Sequence, residues 1–112
     1  MKKEIYRIHL SKENFKFSSA HMTVFPNGTK ESIHGHNFQV KLCVDTYAAS
    51  VDKMIMFSSI KSKVKSVCKR LDEKLLLPSK CKHLIIHTKN KKNTSFSLCK
   101  KNYTIPTDEI VF

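Results

Sequence analysis

His34-Gly35-His36-Asn37-Phe38-Gln39-Val40-Lys41-Leu42-Cys43-Val44-Asp45 is the stretch on which the fold turns. His34, His36, Phe38, Val40, Leu42 and Val44 share one parity; glycine, polar residues and Cys43 occupy the other. A repeat of two is that of a β-strand with one covered face. The spacing predicts a strand over 34–45, with both histidines directed to the same covered side as the apolar residues. Gly35 between them fits a backbone that packs closely against a neighbour.

Upstream, a strand signal runs from about Glu4 to His21 and changes register midway. Tyr6, Ile8 and Leu10 have one parity, Phe15 and Phe17 the other. A bulge or turn near Ser11–Asn14 would reconcile the two sets. Downstream, Phe57, Ile60, Val64, Val67 and Leu71 recur every three or four residues, with Lys61, Lys63, Lys65, Lys69 and Arg70 away from that stripe. This is an amphipathic helix, which Ser58 or Ser59 could cap and which Pro78 cannot continue. His83–Thr88 and Ser95–Cys99 flank the turn-like Asn90–Asn93, so a hairpin follows. Tyr103–Phe112 reads as one more strand, kinked or placed at an edge by Pro106. The order strand, strand, helix, strands predicts an α+β fold: an antiparallel β-sheet with a helix packed on one face.

The 112 residues suit a single domain, 1–112, large enough to bury a core. Two glycines, three prolines and 27% charged residues are far from a collagenous or disordered composition. No apolar run approaches the ~20 residues of a membrane span, and the opening MKKEIYRIHL lacks the apolar core of a signal peptide. Cys43, Cys68, Cys81 and Cys99 form no CxxC pair, which fits free thiols in a reducing, cytoplasmic setting.

The formal charge of +12 raises nucleic acid as a partner. Of the 21 basic residues, however, only Arg7 and Arg70 are arginine, the side chain that reads bases and clamps phosphates with a planar fork. The lysines are spread along the chain, with a denser patch at Lys89, Lys91 and Lys92. A basic rim that attracts a small anionic substrate, or a plain compositional bias toward lysine, fits better than a nucleic-acid surface. A small basic nucleic-acid-binding protein remains the alternative of a different class, and steep salt dependence of binding would distinguish it.

Three of the six histidines are placed for chemistry. His34 and His36 project from one strand face, and His21 ends the preceding strand, where a neighbouring strand can bring it alongside. Three neutral imidazoles with an open fourth position are the ligand set of a catalytic zinc site. Two histidines on one strand face are equally consistent with a partly buried pair that binds nothing. Glu31, three residues before His34, is a candidate general base, or a solvated loop carboxylate. Asp72 and Glu73 sit at the helix C-terminus, where the macrodipole disfavours acids, so they call for another reason to be there. His9, His83 and His87 have no partner at ligand spacing and read as ordinary strand or surface residues. Asp108 and Glu109 read as turn residues.

Phe17-Ser-Ser-Ala-His21, then Glu31-Ser-Ile-His34-Gly-His36-Asn37, then Leu71-Asp72-Glu73 with Leu75-Leu76-Leu77-Pro78, resemble in order and spacing the 6-pyruvoyl-tetrahydropterin synthase and 6-carboxytetrahydropterin synthase family. The resemblance covers roughly residues 4–78. It implies the tunnelling fold, a four-stranded antiparallel sheet with helices on one face, assembled into homo-oligomeric rings such as trimers or hexamers. It also implies Zn²⁺ held by His21, His34 and His36, and 7,8-dihydroneopterin triphosphate as substrate. The products would be 6-pyruvoyl- or 6-carboxytetrahydropterin, of the biopterin and queuosine pathways. Alternatively, in a subgroup with glutamate three before the first strand histidine, the product is 6-hydroxymethyl-7,8-dihydropterin of the folate pathway.

This chain departs from the family pattern in informative ways. The usual cysteine base is absent from Lys30-Glu31-Ser32-Ile33, and Glu31 matches the glutamate subgroup. The family's relay histidine after Asp72 is replaced by Glu73, so the resemblance leaves Glu31 and Asp72 as the catalytic pair. The second helix and the last strand, which carries the pterin-anchoring glutamate, have no counterpart up to Phe112. A catalytically impaired zinc-binding fragment of the family is therefore the second reading of the chain.

Overall fold

Phe15 N–H donates to Lys12 O at 3.0 Å, so the chain turns where the first strand signal changes parity. In the computed structural model, which describes residues 5–46 and 51–112, this turn separates β1 (Tyr6–Leu10) from β2 (Lys16–His21). The predicted single strand over 34–45 is likewise two, β3 (His34–Gln39) and β4 (Leu42–Thr46). The cause of that break is tertiary. Val40 N–H donates to Phe15 O at 2.7 Å, and the Gln39 amide donates to Lys12 O at 2.8 Å and Phe15 O at 3.1 Å. The turn thus claims the backbone and side-chain groups that would have continued the strand.

The described residues group into two units. One runs to Phe17 and includes Asn37–Arg70; the other comprises Ser18–His36 and Leu71–Phe112. In the first, β1 pairs antiparallel with β4, Ile8 opposite Val44 and Arg7 opposite Asp45. Arg7 donates to both carboxylate oxygens of Asp45, at 2.9 and 3.2 Å. Those hydrogen bonds hold the exposed Asp45 carboxyl below its ordinary range and raise Arg7 above its own. In the same unit Phe17 and Phe38 stack with ring centroids 4.9 Å apart.

The helix α1 (Val51–Leu71) starts seven residues before the predicted serine cap, so Ser58 and Ser59 lie inside it. Its last turn carries Lys69 and Arg70, which favour the negative end of the helix dipole. It faces β1 and β4: Ile8 and Leu10 share a cavity with Phe57 and Lys61, and Val40 and Leu42 share one with Ile60, Val64 and Cys68. The apolar stripe is displaced from the expected one. Cys68 is buried at 4% exposure whereas Val67 is 44% exposed.

The second unit holds the main core, Met22, Leu75, Leu77, Phe96, Leu98 and Ile110. Two sheets contribute to it. β5 (Lys74–Leu76) lies parallel to β2, with Ser19 beside Lys74 and Ala20 beside Leu75. β9 (Ile110–Val111) lies parallel to β5, giving the order β3-β2-β5-β9. The predicted hairpin is present as β6 (Leu84–Lys89) and β7 (Asn93–Leu98), and β8 (Lys101–Pro106) completes a three-stranded antiparallel sheet. On β7, Thr94, Phe96 and Leu98 alternate inward and are fully buried.

The predicted strand over 103–112 is divided. Pro106 closes β8, a single 3₁₀ turn follows over Thr107–Glu109, and Ile110–Val111 joins the other sheet. The α+β expectation is borne out, with the strands among the described residues in three sheets and the β2–β5 and β5–β9 pairings parallel. Phe96 is 0% exposed and stacks on Tyr103 at 5.2 Å. Phe96→Ala should therefore lose about 3–5 kcal/mol of stability, read as a lowered urea midpoint at unchanged slope.

Candidate metal centre

Ser18 and Ser19, just upstream of His21 on β2, anchor the end of α1. Ser18 N–H donates to Asp72 Oδ1 at 2.8 Å, and Ser19 Oγ donates to Leu71 O at 2.5 Å. Glu73 has φ 57 and donates its N–H to Ser18 O at 2.6 Å. A left-handed residue just past the last helical one is a common helix stop, usually taken by glycine. The acid at the helix terminus is thus accounted for: Asp72 accepts a backbone N–H that β2 would otherwise leave without this partner.

β2 ends on His21 and β3 begins on His34, and the two strands are hydrogen-bonded neighbours. The twelve residues between them fold back as an arm. Val24 bridges Lys30, Glu31 N–H donates to Thr23 O at 2.9 Å, and Phe25 N–H donates to Thr29 O at 2.8 Å. At its tip the Asn27 side-chain oxygen accepts from Thr29 N–H and from the Thr29 hydroxyl, at 3.1 and 2.7 Å. Gly28 sits there at φ +86, and a Cβ on it would lie 3.3 Å from His83 Cε1. Gly28→Ala should cost about 1–2 kcal/mol from the left-handed backbone alone, read as a lower thermal midpoint.

By closing its neck, this arm sets His21 and His34 side by side, with His36 two residues on. The three rings stand edge-on to one another. Centroid separations are 4.6 Å for His21–His34, 4.9 Å for His21–His36 and 4.8 Å for His34–His36. One nitrogen from each lies within 4.8 Å of the other two. His34 Nδ1 is 2.8 Å from Ser32 O. If Nδ1 carries the proton, it donates to that carbonyl and leaves the Nε2 lone pair as a ligand atom.

His21 Nε2 is buried without a hydrogen-bond partner. A buried polar nitrogen left bare is costly unless something absent from the protein atoms satisfies it. Three imidazoles with this orphaned nitrogen among them fit a metal ion in both donor type and number.

Two expectations about the histidine strand are corrected. His36 is exposed, so the pair does not lie on a covered face; a metal ligand with an open position needs access that a core residue lacks. Gly35 is not required by close packing, because a Cβ there would meet Ser19 O at an ordinary 3.6 Å.

The predicted site residues do not all converge in the same way. His21, His34 and His36 come together. Glu31 is exposed, its backbone held to Thr23 at the neck of the arm. Asp72 is engaged with Ser18. Sequence reasoning passed over His83 and His87. The structure leaves His83 Nε2 buried and unpartnered and puts His87 Nε2 at 2.7 Å from Ser97 Oγ. No local spacing announces either, since their surroundings come from the hairpin and the arm.

The sequence model of the family described as 6-pyruvoyl tetrahydropterin synthase matches residues 9–110. The chain belongs to that family. A Methanocaldococcus jannaschii protein carrying the provisional name 6-carboxy-5,6,7,8-tetrahydropterin synthase is 35% identical over 97 residues, covering 86% of this chain and 58% of that protein. The crystal structure of Plasmodium vivax 6-pyruvoyl tetrahydropterin synthase superposes with a TM-score of 0.80 at 32% identity, over 96% of this chain and 66% of the other. Another solved structure is the same Plasmodium vivax protein with a glutamate, described as a catalytic residue, replaced by cysteine; it matches at 31% identity with a TM-score of 0.80. The chain spans less than two thirds of the length of these relatives. Among the described residues no helix is long and apolar enough to cross a membrane.

Proposed function

We propose that this chain is a zinc-dependent lyase that acts on 7,8-dihydroneopterin triphosphate and gives 6-hydroxymethyl-7,8-dihydropterin. The convergence of His21, His34 and His36, with the buried bare nitrogen of His21 among them, is the observation that carries the reading. Family membership supports the pterin substrate class. The choice of product rests on Glu31, three residues before His34 in a loop that lacks the family's usual cysteine base, and a glutamate is the residue described as catalytic in the Plasmodium vivax relative.

His21, His34 and His36 would hold the ion, which when bound supplies Lewis acidity toward the side-chain hydroxyls of the substrate. Glu31 would accept the proton of the hydroxyl on the second side-chain carbon. That carbon becomes an aldehyde as its bond to the first carbon breaks, and the electron pair stays on the carbon attached to the ring. Protonation there leaves a hydroxymethyl group, and the triphosphate departs on the two-carbon aldehyde. Asp72 would act by holding β2, and so His21, in place through Ser18. A cytoplasmic homo-oligomer, trimer or hexamer, built on a single tetrahydropterin-synthase-like domain completes the proposal.

Incubating the zinc-loaded chain with 7,8-dihydroneopterin triphosphate and identifying products by mass tests it. The hydroxymethyl product is expected. A pyruvoyl or carboxy product would overturn the assignment of Glu31 chemistry. Zinc bound at full stoichiometry with no turnover would instead mark the chain as a metal-binding, inactive part of a family member.

A further inference from the structure

The lysines that the sequence scatters are partly regathered by the fold. A cleft of about 960 Å³ opens between the arm tip and the β6–β7–β8 sheet. Lys30 enters it from the arm, Lys82 from the segment before β6, Lys100 from the β7–β8 connection and Lys101 from the start of β8. Among the described residues no acidic one lines it. Thr29 and Ser32 add hydroxyls, and His83 lies in the wall with its Nε2 buried and unpartnered. The patch that stands out in the sequence, Lys89, Lys91 and Lys92, is not part of it.

The β7–β8 connection has an unusual backbone. Cys99 and Lys100 have φ values of 50 and 68. A two-residue hairpin turn with both φ positive is normally made by Asn-Gly or Gly-Gly, because side chains there are strained. Lysine at such a position is an outlier of the kind that accumulates where a side chain is needed for binding. The arm wall is in turn held rigid by the Asn27–Thr29 hydrogen bonds.

We propose that this cleft binds a chain of condensed phosphates, with Lys82, Lys100 and Lys101 as the principal contacts and Lys30 closing one side. Four ammonium groups match the charge of a triphosphate, and lysines from three separate segments suit an extended anion better than a single phosphate. The cleft is lined by none of the three imidazoles and borders them at Ser32, whose carbonyl lies 2.8 Å from His34 Nδ1. The substrate tail as its ligand rests on the pterin reading, and a separate condensed phosphate does not. Its ligand is either the tail of that substrate or a separate condensed phosphate.

The test is calorimetric titration of the metal-loaded chain with inorganic tripolyphosphate and with orthophosphate, with metal content measured before and after so that chelation does not pass for binding. One tripolyphosphate per chain is expected, bound at least about tenfold more tightly than orthophosphate. Lys82→Gln with Lys101→Gln should weaken it by about tenfold or more. Lys65→Gln with Lys69→Gln, the same charge change on α1, should alter it less than about twofold. Equal weakening by the two pairs would overturn the site, since net charge alone would then explain binding.

Lys100→Gly gives a second, independent arm. It should raise the urea midpoint by relieving the left-handed backbone and yet weaken tripolyphosphate binding. A more stable variant with unchanged binding would remove Lys100 from the site. In assays with 7,8-dihydroneopterin triphosphate, competitive inhibition by tripolyphosphate would assign the cleft to the tail of the substrate. Calorimetric binding with an unchanged apparent KM would assign it to a separate condensed phosphate. A chain that binds tripolyphosphate but shows no turnover would retain the cleft and lose only the pterin reading.

Discussion

On the proposed function, Glu31→Gln should lower turnover of 7,8-dihydroneopterin triphosphate by about two to four orders of magnitude while zinc stays bound at wild-type stoichiometry. That range is what a positioned general base contributes. Glutamine keeps the size of the side chain but cannot accept the proton. The fold has little reason to respond, because Glu31 is exposed and its structural bond is the backbone one to Thr23 O at 2.9 Å, which the substitution leaves in place. The measurement is paired: product formation by mass, and metal content on the same preparation. Near-native turnover would assign the base to another group. Loss of zinc would make Glu31 part of the metal site rather than the base beside it.

On the same proposal, His34→Ala should abolish stoichiometric zinc binding, and turnover with it. His34 supplies one of three nitrogens that lie within 4.8 Å of one another, and its ring is oriented by Ser32 O at 2.8 Å. Removing a ligand should cost more affinity than the roughly 10–100-fold that follows loss of an outer-shell partner. Zinc titration against a chelator of known affinity reads the change. Circular dichroism of the metal-free variant should match that of the metal-free wild type, because the half-buried ring lies outside the main core. Wild-type zinc affinity in His34→Ala would show that the ion sits elsewhere.

Together the two substitutions separate roles that a single loss of activity would blur. Glu31 should change chemistry without changing metal content, and His34 should change both. Lys82→Gln with Lys101→Gln should leave metal content and the fold as they are and weaken the binding of the phosphate chain. Each role therefore has its own readout, and none depends on the others succeeding.

Much of the candidate site was legible because it is local. His34 and His36 share a face because side chains on a strand repeat every two residues, and no distant residue is needed to establish that. The α1 stripe and the hairpin around Asn90–Asn93 are likewise written in short-range spacing, although the stripe is displaced so that Cys68 rather than Val67 is buried. The break at Val40–Lys41 was illegible for the converse reason. Val40 and Leu42 keep the alternation intact, and only hydrogen bonds from Gln39 and Val40 to Lys12 and Phe15 part β3 from β4.

The same division runs through the functional residues. Residue type and spacing determined the ligand chemistry of His21, His34 and His36 as a possibility. Tertiary structure decided their convergence, by pairing β2 with β3 and closing the arm between them. It also gave Asp72 its partner 54 residues away and drew Lys30, Lys82, Lys100 and Lys101 into one cleft. Periodicity carries information about faces of single elements. Which faces and ends meet depends on strand pairing and hydrogen bonds between residues far apart in the chain, and no local pattern records those.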